Sequence, residues 1–360
     1  MRWPWASRKR PERLIVSWSS QTLSYVLARP RPAGGFEVLR VGVEPMGDRS
    51  MGDYVHHLQG LGLKGWPTRV MLRPAQYQFL QIDAPTVPPE ELRAAARYQI
   101  REMVQSHIDD ITLDVMRVGD GTQKSPGHLF VVAAPNATIR EIMQLSDAMR
   151  WGVDVIDVQE TAQRNLATAL TATDATASAQ AALVLLPGHQ ALLTISARDE
   201  LFYSRRFDVP ASLWTTDWSL TDEAISGPAG FTPVAEYVPD YSVGGISYGA
   251  DYSGAGITAL HTSHSDDPQH DDAQRFLIEM QRSVDVWDRA WSSMPLQGLK
   301  VFIPTRSAEL AQWLGRQLAL PVSAISVGAL FTGFDAELQA AQAQCLPLLG
   351  VLLRSETREL

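Results

Sequence analysis

Two strand–turn–strand patterns, far apart in the chain, constrain its fold most. The first is Leu14–Ala28 (LIVSWSSQTLSYVLA), in which two apolar runs flank a serine-rich turn. The second is Ala182–Phe207 (ALVLLPGHQALLTISARDELFYSRRF). There Ala182–Leu186 is a continuous apolar run of the kind buried on both faces of a sheet. Pro187-Gly188 is turn chemistry, Ala191–Ser196 a second run, Arg198-Asp199-Glu200 a polar turn, and Leu201–Phe207 a third strand. Each pattern opens a half of the chain in which strands alternate with amphipathic helices, an α/β arrangement.

In the first half, Phe36–Val43, Thr68–Leu72, Phe79–Ile82, Asp109–Val118, Leu129–Ala134 and Val153–Val158 read as strands. Tyr54–Leu61, Thr138–Met149 and Thr161–Leu170 read as helices. A further helix starts at Pro88-Pro89-Glu90-Glu91, with prolines at its beginning and acids in the first turn. Leu92, Ala96, Ile100, Met103 and Val104 then fall on one face. Residues 171–180 (TATDATASAQ) are small and polar and read as a linker. From Asp208 to Gln274 there is no Lys or Arg, and residues 211–274 are predicted to be mostly irregular. Ala273–Trp291 is the most periodic helix. Leu299–Ile303 and Val322–Ile325 read as strands, and Ser307–Leu318, Asp335–Ala343 and Cys345–Arg354 as helices.

At 360 residues the chain is long enough for two cores. Its net charge of −9 argues against general nucleic-acid binding, which needs clustered Lys and Arg. The single cysteine, Cys345, excludes an intrachain disulfide framework and sits in an apolar helix, where an inert thiol is expected. No apolar run approaches the ~20 residues that span a bilayer, and no apolar segment of a signal peptide follows the basic N-terminus. A cytoplasmic location is the resulting expectation. Residues 1–13 (MRWPWASRKRPER) fit a solvated tail; a second reading is contact with anionic lipid through Trp3, Trp5 and the basic residues.

Catalytic signatures are missing. There is no G-x-S-x-G, H-E-x-x-H or Walker A loop. Adjacent carboxylates such as Asp109/Asp110 and Asp266/Asp267 point to opposite faces of a strand and form no dyad. His261, His264 and His270 resemble a metal tract, but no rigid element holds them, so a solvated acidic loop is the expectation.

The runs PPEELRAAARYQI…HIDDITLDVMRV, VVAAPNATIREIMQLSDAMRWGVDVIDVQETAQRNLA, FLIEMQRSVDVW and LPLLGVLLR, in that order, resemble the PilM family of pilus assembly proteins, within the actin-like ATPases. The resemblance runs from about Leu14 to Arg354. It implies an actin-like (ribonuclease H-like) two-lobed α/β fold with a small inserted subdomain. The first lobe would be 14–170 with the insert at about 85–118, and the second 181–354. It also implies a cytoplasmic platform component, peripheral at the inner-membrane face. Its partner would be a bitopic inner-membrane pilus assembly protein (PilN/MshJ-like), bound through the partner's N-terminal cytoplasmic tail. Tyr98, Ile100 and Val104 are candidates to face that tail, with core packing as their other role.

Family members carry an Asp-x-Gly turn in each hairpin for phosphates and Mg²⁺. The matching positions here are Ser17-Trp18-Ser19 and Leu186-Pro187-Gly188, so both carboxylates are missing and Ser17, Ser19 and Gly188 are vestigial positions. The adenine-side glycines are replaced by Pro304-Thr305-Arg306, where a side chain obstructs close backbone approach. A pseudo-ATPase without cofactor is therefore expected, since phosphoryl transfer depends on that charge neutralisation. The alternative is an active protein that binds ATP with Mg²⁺.

Overall fold

A computed structural model describes residues 11–118, 127–171, 178–186, 188–218, 268–335 and 340–354. The chain runs β1 (Arg13–Trp18), β2 (Thr22–Pro30), β3 (Phe36–Pro45), α1 (Met51–Gly60), β4 (Pro67–Met71), β5 (Gln78–Asp83), α2 (Leu92–Gln99), β6 (Ile111–Arg117) and β7 (His128–Pro135). Then come α3 (Asn136–Met149), β8 (Gly152–Asp157) and α4 (Gln159–Thr171). The second half holds β9 (Ala179–Leu186), β10 (Gln190–Ala197), β11 (Glu200–Asp208), α5 (Pro268–Ala290), β12 (Leu296–Phe302), α6 (Ser307–Leu318), β13 (Val322–Ala324), β14 (Phe331–Thr332) and α7 (Ala340–Leu352).

The strand order β3-β2-β1-β4-β8 in the first sheet is repeated as β11-β10-β9-β12-β13 in the second. In both, the three hairpin strands are antiparallel and the last two pair in parallel, reached through crossover helices. The first sheet packs one face on α1 and α3, through Leu14, Val16, Tyr54, Leu58, Ile142 and Leu145. The second packs on α5 and α6, through Leu183, Leu193, Phe276, Met280, Trp287 and Leu314.

The remaining two faces meet each other through exchanged helices. Helix α4 follows the last strand of the first sheet yet packs on β9 and β10 of the second; α7 follows the second sheet's strands yet packs on β1, β2 and β3. One buried cluster therefore joins Ile15 and Val26, Ala162 and Leu166, Val184 and Phe302, and Leu346 and Leu349. Helix α7 is buried nearly all round, as a helix between two apolar surfaces must be. Where it crosses α4, a Cβ on Gly350 would lie 1.9 Å from the Ala162 carbonyl oxygen. The Arg69 guanidinium caps α7's C-terminal end, donating to the Val351 and Arg354 carbonyls at 2.9 Å each.

Several expectations need correction. The insert is a three-stranded sheet, β5-β7-β6, covered by α2, so its strands draw in residues from 78 to 135, beyond 85–118. The expected continuous helix through Val104 breaks into 3₁₀ turns at Pro89–Glu91 and Ile100–Glu102 around α2, and Met103 is exposed. Residues 211–218 are not loose: a 3₁₀ turn at Ala211–Trp214 buries Leu213, and the Trp218 ring packs tilted, 4.9 Å from that of Trp313, in the second core. Helix α5 begins at Pro268, ahead of the expected Ala273. Asp335 precedes the last helix, its amide donating 2.6 Å to the Gln342 side chain. Residues 219–267, with His261, His264, Asp266 and Asp267, lie outside the described residues, as do 172–177 of the linker and 1–10 of the tail.

Burial holds the Cys345 thiol at about 12. The thiolate is therefore scarce at pH 8, and Cys345 should fail to react with Ellman's reagent until the protein is denatured, which a spectrophotometric titration with and without guanidinium checks. Gly350→Ala should destabilise the fold by about 1–3 kcal/mol in urea unfolding, because backbone rather than a flexible side chain blocks the new methyl. Gly60→Ala, with open space around it on α1, should be neutral or stabilising by up to about 1 kcal/mol.

Candidate functional site

The hydrogen bonds of the two hairpin turns and of the start of α6 decide what they can hold. In the first turn Ser17 is buried within β1, paired with Ser24, and its Oγ has no partner. Trp18 is buried opposite Leu23. The Ser19 Oγ accepts from the Gln21 and Thr22 amides at 3.3 and 3.4 Å, and the Ser19 amide donates 3.0 Å to the Thr22 carbonyl. The turn's own serine thus occupies the amides that an anion would need.

A 3₁₀ turn at Pro74–Gln76 closes over the same hairpin. The Arg73 Nη2 donates to the Ser17 and Thr22 carbonyls at 3.1 and 2.9 Å, and Gln76 Nε2 donates to the Trp18 carbonyl at 2.9 Å. Burial lowers the Arg73 pKa, yet a guanidinium keeps its proton and the side chain stays a cation. Its charge is directed at carbonyl oxygens.

In the second turn, Gly188 takes a φ of +117° with open space where a side chain would be, the conformation that keeps glycine there. Leu186 closes β9 at the carboxylate position, and Pro187 lies outside the described residues. His189, at φ +61°, accepts 2.8 Å from the Val209 amide, and its ring meets Trp214 edge-on at 5.6 Å. At the third position Arg306 adopts φ +61° as the N-cap of α6, a left-handed conformation that favours glycine. Its side chain turns back, Nη1 donating 3.4 Å to the Thr216 carbonyl near Asp217 and Glu309. The backbone geometry expected of a glycine is present, and an arginine fills it.

Between the two sheets' halves of the chain, four side chains converge, from α4, from β11 and from the segment before β5. Glu160 of α4, 2 % exposed, accepts from Tyr77 on one oxygen and from Arg206 of β11, at 2.7 Å, on the other. Arg206 also donates to Gln159 at 3.0 Å and to the Tyr77 oxygen at 3.2 Å. Burial, then the charge of Glu160, raises the Tyr77 phenol far above its usual range, so it stays a donor. Tyr77 stands where the chain enters the insert. Nothing in the sequence pairs these residues, since each reads alone as an ordinary polar side chain.

The three candidate partner-contact residues do not share a surface. Ile100 is fully buried in the insert core, Val104 packs half-buried against it, and Tyr98 is 80 % exposed. Sequence reasoning missed a groove of about 320 Å³ between α1, α3 and the end of β1. It is lined by Trp18, Met51, Val55, Leu145 and Ala148, with Ser20, Glu141 and Gln144 as its polar members. His270 is buried in α5 with Gln274 2.7 Å from its ring nitrogen, and among the described residues no cluster of three metal-ligating side chains occurs. No helix among them is long and apolar enough to cross a membrane.

Arg73→Ala should destabilise the protein by about 2 kcal/mol in urea unfolding, because two buried carbonyls lose a charged donor.

No family model and no curated protein matches the chain. Among solved structures it is similar to a PilM-PilN type IV pilus biogenesis complex, with a TM-score of 0.61 and 13 % identity over 96 % of this chain and 99 % of that one. The cytoplasmic domain of EpsL, an inner membrane component of the type II secretion system of Vibrio cholerae, aligns over 60 % of this chain and 75 % of its own (TM-score 0.39, 16 % identity). A Bacteroides thetaiotaomicron protein with an actin-like ATPase fold aligns over 93 % and 96 % (TM-score 0.45, 10 % identity). The duplicated sheet order, the exchanged helices and the end-to-end similarity to the first of these give the chain a two-lobed actin-like fold.

Proposed function

We propose that the chain is a non-catalytic platform protein of a type IV pilus or type II secretion-like assembly, of the MshI kind found with MSHA-type pili. It would hold the cytoplasmic tail of a bitopic inner-membrane partner, PilN- or MshJ-like, at the inner-membrane face. The observation that carries the non-catalytic part is the first turn, where the Ser19 hydroxyl takes the Gln21 and Thr22 amides. Ser17 and, in the second hairpin, Leu186 stand where the resemblance puts carboxylates that bind Mg²⁺ through water. The partner part is supported by the solved complex, which pairs PilM with PilN. The α1–α3 groove supplies an apolar socket of side-chain size with Glu141 at its rim, suited to an apolar residue flanked by a basic one.

The test has two arms. Thermal unfolding should be unmoved by Mg-ATP; a rise of several degrees overturns the non-catalytic reading. Co-purification with the bitopic membrane protein encoded beside it should be lost in Ala148→Arg, an exposed helix position, with the unfolding midpoint unchanged. Retained binding in that variant and loss in Tyr98→Ala would move the docking surface to the outer face of the insert.

A further inference from the structure

Besides the α4–α7 crossing, two contacts join the first lobe and its insert to the second lobe. One is the polar set Tyr77, Gln159, Glu160 and Arg206, in which both carboxylate oxygens of a buried glutamate are used, one from each side of the cleft. The other is a small apolar cluster in which Val118 and Phe130 of the insert meet Leu201, with Phe79, Met116 and Trp291 packed around them. Arg206 and Leu201 both belong to β11, five residues apart, so the two contacts lie on one strand about 17 Å from each other. A single strand of the second lobe is thus gripped at two points.

We propose that this pair of contacts is a closure latch, which holds the lobes together with no ligand between them. Glu160 is what makes it all-or-none. Tyr77 and Glu160 lie in the first lobe and Arg206 in the second, so parting the lobes takes the Arg206 donor from a buried carboxylate, and the apolar cluster is exposed in the same movement. Intermediate openings satisfy neither contact. The proposal rests on the reading that the cleft takes no nucleotide, and it adds that the chain's own side chains supply the bridge.

Cross-lobe distance tests it. Spin labels at Glu102→Cys on the insert and Asp288→Cys on α5, both exposed positions, leave the buried Cys345 unlabelled. Pulsed electron resonance on the full chain should give one distance population, the same with and without Mg-ATP. Tyr77→Phe combined with Leu201→Ala should add a second, longer population, as loss of the buried donor shifts the open–closed ratio roughly tenfold. Arg206→Lys, which keeps the charge, is the companion variant should the double change fail to fold, and it should broaden the distribution in the same direction. One unchanged population in folded variants overturns the latch while leaving the nucleotide-free reading intact. A natural chain that is open alone and closes on Mg-ATP overturns both.

Discussion

The exchange of two helices between two sheets is the contact on which the rest of the molecule depends. Each sheet has one face covered by its own crossover helices and one face that its own lobe leaves bare. Helix α4 covers the second lobe's bare face and α7 the first's, so neither sheet is complete without the other half of the chain. The crossing is close enough that backbone meets backbone, which requires glycine at position 350. It also explains why α7 is apolar all round and tolerates Pro347: its neighbours, not its own amphipathicity, hold it in place.

On that frame two loop positions hold positive-φ backbone, and the side chain at one of them bonds within the protein. Gly188 and Arg306 both hold positive φ, one as glycine and one in spite of being arginine. The first turn goes further, since Ser19 and Arg73 between them use its amides and carbonyls. A site whose donors are satisfied internally has no unpaid desolvation for an incoming anion to relieve.

The cleft network is of a different kind. Taking Glu160 out of water costs several kcal/mol, and its attraction to Arg206 offsets that cost while the Tyr77 and Gln159 bonds are in place. Such an arrangement adds modest stability but discriminates strongly against alternative packings, because removing one member strands the others. It therefore fixes how the insert's root, α4 and β11 sit together.

Short continuous apolar runs and polar turns marked both hairpins, and helical spacing marked α3, α5 and α6, because these patterns report local burial and the direction of side chains along the backbone. Ser17 and Leu186 were equally legible, as residues without a carboxylate where β1 and β9 run into their turns. Position within the third dimension was not. Phe79–Ile82 and Leu129–Ala134 read as strands without any sign that they pair with each other and with β6 to form the insert. Trp218 lies in a stretch with no periodicity, yet it is core because Trp313, remote in sequence, packs against it. Tyr98 and Ile100 looked like equivalent candidates; α2 turns the first outward, and the 3₁₀ turn that follows it buries the second. The sequence by itself determined the elements and what the turns lack. Tertiary structure decided which helix covers which sheet, that Ser19 seals the first turn, and that Tyr77, Glu160 and Arg206 meet, since each depends on contacts between residues that no local spacing relates.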